Sequence, residues 1–189
     1  VDKYNLKLEK SNKFTFIVVG RLEIVKNHKF LIEIANELRD MYDFEIQFVG
    51  DGHLRNELKK LIQEYALEDR VKLLGLRTDI PKLLNQSHCL LLPSLWEGLP
   101  TVILESGASS LPIISTPVGS IPSLLNCENS YLVELNEFKD MMIEVMNNYE
   151  KAKTKGKILF QEITKNYSID SIIYEHEKIY KSLILENKK

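Results

Sequence analysis

Short apolar runs that each end at a turn residue and give way to a helical pattern leave this chain few folds to choose from. Phe14-Thr-Phe-Ile-Val-Val19 stops at Gly20, Phe44-Glu-Ile-Gln-Phe-Val49 at Gly50, and Val71-Lys-Leu-Leu74 at Gly75. His88-Cys-Leu-Leu-Leu92 stops at Pro93, and Pro112-Ile-Ile-Ser-Thr116 runs into a second proline. Near-continuous apolar runs of this length suit strands buried on both faces. Between them the period changes. Phe30, Leu31, Ile34, Leu38 and Met41 share one helical stripe from Asn27 to Met41, and Leu54, Leu58, Leu61, Ile62 and Tyr65 share another. Asp79 reads as the N-cap of a short helix through Asn85, Thr101 to about Ser109 is helical, and Ile121 to Leu125 is a turn of helix. Tyr131-Leu-Val133 supplies an edge strand, after which helices are expected over Asn136–Lys153, Lys157–Asn166 and Ile169–Leu185. Such alternation predicts an α/β fold: a parallel sheet of about six strands with helices on both faces.

The 189 residues suit one domain, and 25 Lys plus Arg against 27 Asp plus Glu give no reason to expect nucleic acid as a partner. Cys89 and Cys127 lie in no metal-ligand spacing, and sparse cysteine use predicts a reducing, cytoplasmic compartment. No apolar run is long enough to span a bilayer, and the opening VDKYNLKLEK has no signal core. None of His28, His53, His88 and His176 pairs at ligand spacing; His28 and His53 lie near site loops and could hydrogen-bond a bound molecule, but read first as surface or loop residues. Trp96 is expected to pack under its loop.

In a sheet of this kind ligands bind beyond the carboxyl ends of the strands, where the loops gather. The unusual residues collect in those loops. Arg21, after Gly20, and Lys26 place two cations at the edge, a planar fork and a point charge suited to phosphate oxygens. In Ser94-Leu-Trp-Glu-Gly-Leu-Pro-Thr-Val-Ile-Leu-Glu105, Gly98 permits close backbone approach and Pro100 stands near the first helical position. Free amides of Leu99, Thr101 or Val102, with the helix dipole, make an anion site. Glu97 and Glu105 flank it, placed to accept hydrogen bonds from neutral hydroxyls. Taken singly, each of these residues also fits a plainer role: Arg21 and Lys26 as solvated loop residues, Glu97 as a helix cap, Glu105 on a wet face.

The pattern as a whole resembles the retaining glycosyltransferases of family 4, in the GT-B superfamily. Glu97 and Glu105 match that family's pair of glutamates with seven residues between them, and Val19-Gly-Arg-Leu22 with Lys26-Asn27 is similar to its phosphate loop. Val49-Gly-Asp-Gly52 with Leu54-Arg55, Leu74-Gly75 with Asp79-Ile80, and Leu111-Pro-Ile-Ile-Ser-Thr-Pro-Val-Gly119 also match, so the likeness runs from about Phe14 to Leu125. It implies a Rossmann-like, nucleotide-sugar-binding domain over residues 14–168, one half of a GT-B fold. By resemblance, Arg21 and Lys26 bind the donor diphosphate, Glu97 the donor sugar, and Glu105 the ribose. Gly20, Gly98 and Pro100 line the phosphate cradle with the amides of Leu99, Thr101 and Val102, Pro100 itself having no N–H to donate, and the backbone near Leu76 and Arg77 meets the base. The resemblance implies no metal and no cofactor beyond a UDP-sugar or GDP-sugar substrate. Two departures stand out: the commoner Gly-Phe-Gly-Leu-Pro is here Gly98-Leu-Pro100, and Val118-Gly-Ser-Ile-Pro-Ser123 carries Ser120 and Ser123 where a glycine and a glutamate are often found.

A GT-B enzyme has a second such domain that binds the acceptor, so the resemblance makes this chain the donor-binding half. Residues 1–13 then read as a linker remnant, and residues 169–189 as a helix reaching toward the other domain, with Tyr174, Ile179, Tyr180 and Leu183 exposed for want of it. The implied reaction is hexosyl transfer to a cell-surface polysaccharide, such as a capsule, or to a lipid-linked glycan, with peripheral contact at the inner face of the plasma membrane. The isolated chain is expected to transfer little. Competing readings are a nucleotide-sugar epimerase of the same superfamily and a non-catalytic nucleotide-binding or partner-binding module.

Overall fold

A computed structural model of the chain describes residues 3–6 and 8–186, with side-chain surroundings through residue 182. Val1 and Asp2, read as the end of a linker, and the Leu183 side chain lie outside the described residues. Six parallel strands form one sheet: β1 Phe14–Val19, β2 Phe44–Val49, β3 Val71–Gly75, β4 Cys89–Leu92, β5 Ile113–Ser115 and β6 Tyr131–Leu132, ordered β3-β2-β1-β4-β5-β6. Seven α-helices accompany them: α1 His28–Leu38, α2 Arg55–Glu64, α3 Ile80–Gln86, α4 Thr101–Ala108, α5 Leu135–Asn147, α6 Tyr149–Tyr167 and α7 Ile169–Glu186.

Alternation along β1 divides the interior into two cores. Phe16 and Val18 face a cluster that includes Leu31 and Leu38 of α1, Leu58 of α2 and Phe138 of α5. Ile17 faces the other way, toward Leu84 of α3, Ile103 of α4 and Leu159 of α6. Helices therefore cover both faces, and each fully buried large apolar side chain contributes roughly 1.5–3 kcal/mol. The strand order reverses at β1, whose neighbours are β2 on one side and β4 on the other. The loops leaving β1 and β4 diverge there and open a crevice at the carboxyl edge.

Several boundaries differ from the sequence expectation. The helical tail breaks at Asn148 (φ −125°, ψ 47°) rather than between Lys153 and Lys157. Gly156 lies inside α6 because it is a crossing point: a Cβ there would stand 2.3 Å from the Ser110 carbonyl oxygen. Asp79 precedes α3 but caps nothing with its side chain. Its carboxylate is bound in two-point contact by Arg77, whose Nε and Nη2 donate at 2.8 and 2.7 Å. α7 packs chiefly on α6 and leaves Ile169, Ile173, Tyr174, Ile179 and Tyr180 exposed.

Candidate functional site

The loop after β1 is shaped by backbone geometry. A single 3-10 turn, Ile24–Lys26, ends at Asn27 in the left-handed region (φ 56°), a conformation asparagine tolerates and most residues do not. This turn brings Lys26 back over the end of β1, so that its Cε would lie 3.3 Å from a Cβ built on Gly20. The Val25 carbonyl accepts from the Leu95 N–H at 2.8 Å, which joins this loop to the one after β4. In that second loop Glu97 is 7% exposed, an unusual burial for a carboxylate. It is satisfied by two donors on one oxygen: Lys26 Nζ at 2.6 Å and the Ser94 hydroxyl at 2.7 Å, both to Oε1. Glu97 is thus a buried partner of Lys26 and not a helix cap.

The backbone under Glu97 is equally constrained. Gly119, at φ +58°, passes so close that a Cβ would stand 1.8 Å from the Glu97 carbonyl oxygen. The space beside Gly98 is open instead. A Cβ on Gly98 would meet nothing within 4 Å, although the Gly98 carbonyl accepts from the Ser120 hydroxyl. Ser120 and Ser123, the departures noted above, tie this loop together: the Ser123 hydroxyl donates to the Ser120 carbonyl at 2.6 Å.

α4 starts at Thr101, as expected, with Pro100 at the N-cap position. Ile103 makes the first backbone bond, to the Pro100 carbonyl at 3.0 Å. The Thr101 and Val102 amides precede it and have no intrahelical acceptor. Glu105, about one turn further along, is half-buried.

One hollow of about 350 Å³ gathers Gly20, Arg21, Lys26, Glu97, Leu99, Pro100, Thr101, Val102 and Glu105 with Val19. A second, of about 240 Å³, shares Val19, Gly20 and Arg21 and continues to Gly50, Leu76, Arg77 and Ile80. Of the donor-site residues named from the sequence, all but Gly98 line one or the other. The cations converge, but both are already paired: Lys26 with Glu97, and Arg21 with Glu23 at 2.8 Å. The Arg21 side chain is 78% exposed, so its pair is weak and easily exchanged for a better anion.

Two aromatic expectations fail. Trp96 is 66% exposed at the rim rather than packed beneath it. His28 is buried, edge-on against Phe48, with neither ring nitrogen hydrogen-bonded among the described residues. Burial, then the nearby Lys26, pushes its pKa down to about 4. Sequence reasoning did not single out Ser94, which fixes Glu97, Glu23, which holds Arg21, or Tyr4, which touches Glu105. A serine three residues before the glutamate was the only available signal for Ser94; Tyr4 lies 101 positions from its partner and gave none.

The family profile described as "Glycosyl transferases group 1" matches residues 3–158. This chain belongs to that family. The group 1 glycosyltransferase is 40% identical over 133 residues to the Escherichia coli UDP-Gal:alpha-D-GlcNAc-diphosphoundecaprenol alpha-1,3-galactosyltransferase, covering 68% of this chain and 34% of that protein. Its fold matches that of Anabaena HepE in complex with UDP with a TM-score of 0.83 at 23% identity, over 90% of this chain and 49% of the other. It also matches the C-terminal domain of a Francisella tularensis group 1 family glycosyl transferase, LpcC, with a TM-score of 0.74 at 21% identity, over 89% and 92% of the two chains. The chain thus spans about a third of the Escherichia coli relative. Among its described residues no helix is long and apolar enough to cross a membrane.

Proposed function

We propose that this group 1 glycosyltransferase chain is the donor-binding half of a two-domain, retaining hexosyltransferase that uses a nucleotide-diphosphate sugar. The observation that carries the reading is the single hollow in which two cations, unpaired helix amides and two carboxylates meet. As the glycosyl group leaves, negative charge grows on the diphosphate. Arg21, Lys26 and the Thr101 and Val102 amides stabilise it, and being already oriented they need little reorganisation. Lys26 keeps Glu97 as a partner through one hydrogen and has others to offer a phosphate oxygen. Glu97, with one oxygen anchored, presents the other to hydroxyls of the donor sugar. Glu105 takes the ribose, and the adjoining hollow at Leu76 and Arg77 takes the base. Two side-chain cations and a helix start supply the charge that a divalent ion supplies in other transferases, so the reaction is proposed to need no metal.

The resemblance to an enzyme whose printed acceptor is a diphosphoundecaprenol supports a lipid-linked glycan or cell-surface polysaccharide as acceptor, and work in the cytoplasm at the inner face of the plasma membrane. The match to a C-terminal domain over 92% of its length supports assignment of the acceptor site to another domain, toward which the exposed face of α7 would turn.

Calorimetric titration with UDP, GDP and their hexose conjugates, with and without a chelator, tests the reading. Binding is expected to ignore the chelator and to fall at least about tenfold in Arg21→Ala, the loss of one charge-assisted contact. Glu105→Ala is expected to weaken nucleotide and sugar nucleotide alike, and Glu97→Ala chiefly the sugar nucleotide. Unchanged affinity in Arg21→Ala would remove the phosphate role.

A further inference from the structure

Glu105 reaches the hollow with one oxygen already engaged: the Tyr4 hydroxyl donates to its Oε1 at 2.8 Å. Tyr4 does not line the hollow. Its ring packs against the core on the α3 and α4 side of the sheet, so it meets the carboxylate from behind. The backbone of Tyr4 is fixed as well. Buried Asn85 in α3 donates from Nδ2 to the Tyr4 carbonyl at 2.6 Å and to the Pro81 carbonyl at 2.8 Å, with Ser109 Oγ at 3.4 Å. Ser109 Oγ in turn donates to the Glu105 carbonyl at 3.0 Å. The segment before β1, α3 and α4 are tied in a circuit around one glutamate.

We propose that Tyr4 is a positioning residue for the donor site: its hydroxyl fixes Glu105 Oε1 so that Oε2 is presented to the ribose hydroxyls of a nucleoside diphosphate. The proposal rests on the donor-site reading above. A glutamate on a helix otherwise samples several rotamers, and immobilising such a side chain on binding costs conformational entropy. Here the Tyr4 hydrogen bond meets that cost when the chain folds. Burial, then the Glu105 carboxylate, raises the Tyr4 pKa to about 12, so the hydroxyl remains a donor at neutral pH. Because the circuit includes the stretch before β1, seating of that stretch and occupancy of the ribose site reinforce each other, as linkage requires.

Tyr4→Phe keeps the ring and removes only the donor. The test is calorimetric titration of wild type, Tyr4→Phe and Glu105→Ala with UDP and GDP, each beside its 2′,3′-dideoxy analogue. The tighter-binding base is expected to lose about threefold to tenfold in affinity in Tyr4→Phe, while its dideoxy analogue changes less than about twofold because it has no hydroxyl for Glu105 to accept. Equal losses for both ligands would mean that Tyr4 acts only on the fold, and tighter binding of the parent nucleotide would mean that it obstructs the site; either result overturns the proposal. Loss of discrimination in Glu105→Ala together with none in Tyr4→Phe overturns the Tyr4 role alone. Discrimination unaffected by Glu105→Ala removes the ribose role of Glu105 and the inference with it.

Discussion

At the scale of single residues, the site is built around one ion pair held below the surface. Glu97 and Lys26 form a buried pair, and such pairs seldom add net stability because desolvation offsets the attraction. Their burial is better explained by the pocket they shape, in which Ser94 and Gly119 leave Glu97 little freedom. His28, one position after Asn27, makes a different kind of demand. It is neutral in the folded chain with a pKa of about 4, against about 6.5 when unfolded. The unfolded state therefore binds the extra proton between these values, and stability is fully present above about pH 6.5 and lost as pH falls toward 4. His28 alone contributes about 1.4 kcal/mol of loss per pH unit in that window. His28→Phe is expected to flatten the acid limb between pH 6.5 and 4 in urea titrations followed by circular dichroism. An unaltered acid limb would show that His28 carries none of the pH dependence.

At the scale of elements, the crossing of α6 beneath α4 depends on small residues where backbones touch. Alanine at Gly156 would gain about 0.5–1 kcal/mol of helix preference. It would also drive a methyl into the Ser110 carbonyl, and overpacking of this kind costs about 1–3 kcal/mol. Gly156→Ala is accordingly expected to lower the unfolding free energy by about 1–2 kcal/mol, measured as a shift in the urea midpoint. Stabilisation instead would mean that α6 slides away from α4 without penalty. The sequence placed α1 through α4 and all six strands to within a few residues, since strong periodicity and turn residues marked them. It put the break in the tail at the wrong place. Gly156 resembles a helix breaker in a linear reading, and only the neighbour across the helix shows it to be a contact.

At the scale of the whole molecule, the proposed function divides the reaction between this chain and a second domain. Positioning two substrates accounts for a large share of enzymatic rate, with effective molarities up to about 10⁵ M or more. The chain alone is therefore expected to bind nucleotide yet to transfer sugar at least about a thousandfold more slowly than an intact two-domain enzyme. Radiolabelled UDP-sugar and GDP-sugar with isolated lipid-linked acceptors provide the assay, and robust transfer by these 189 residues would refute the division of labour.

What the sequence determined by itself was the alternation of strands and helices in a parallel α/β sheet, and which loops gather at its carboxyl edge. Periods of two and 3.6 decide which faces are buried, and the carboxyl edges of parallel strands collect whatever the loops carry. The placement of Gly20, Arg21, Lys26, Glu97, Glu105 and the start of α4 near that edge was thus readable from order and spacing, while their donor-binding roles came from the family resemblance. Tertiary structure alone decided how those groups are held: Lys26 on Glu97, Arg21 on Glu23, Tyr4 behind Glu105, and Gly119 against the Glu97 backbone. The reason is physical. Periodicity is a property of neighbours along the chain, whereas an ion pair or a backbone contact depends on side-chain rotamers and on segments that meet only after the sheet has formed.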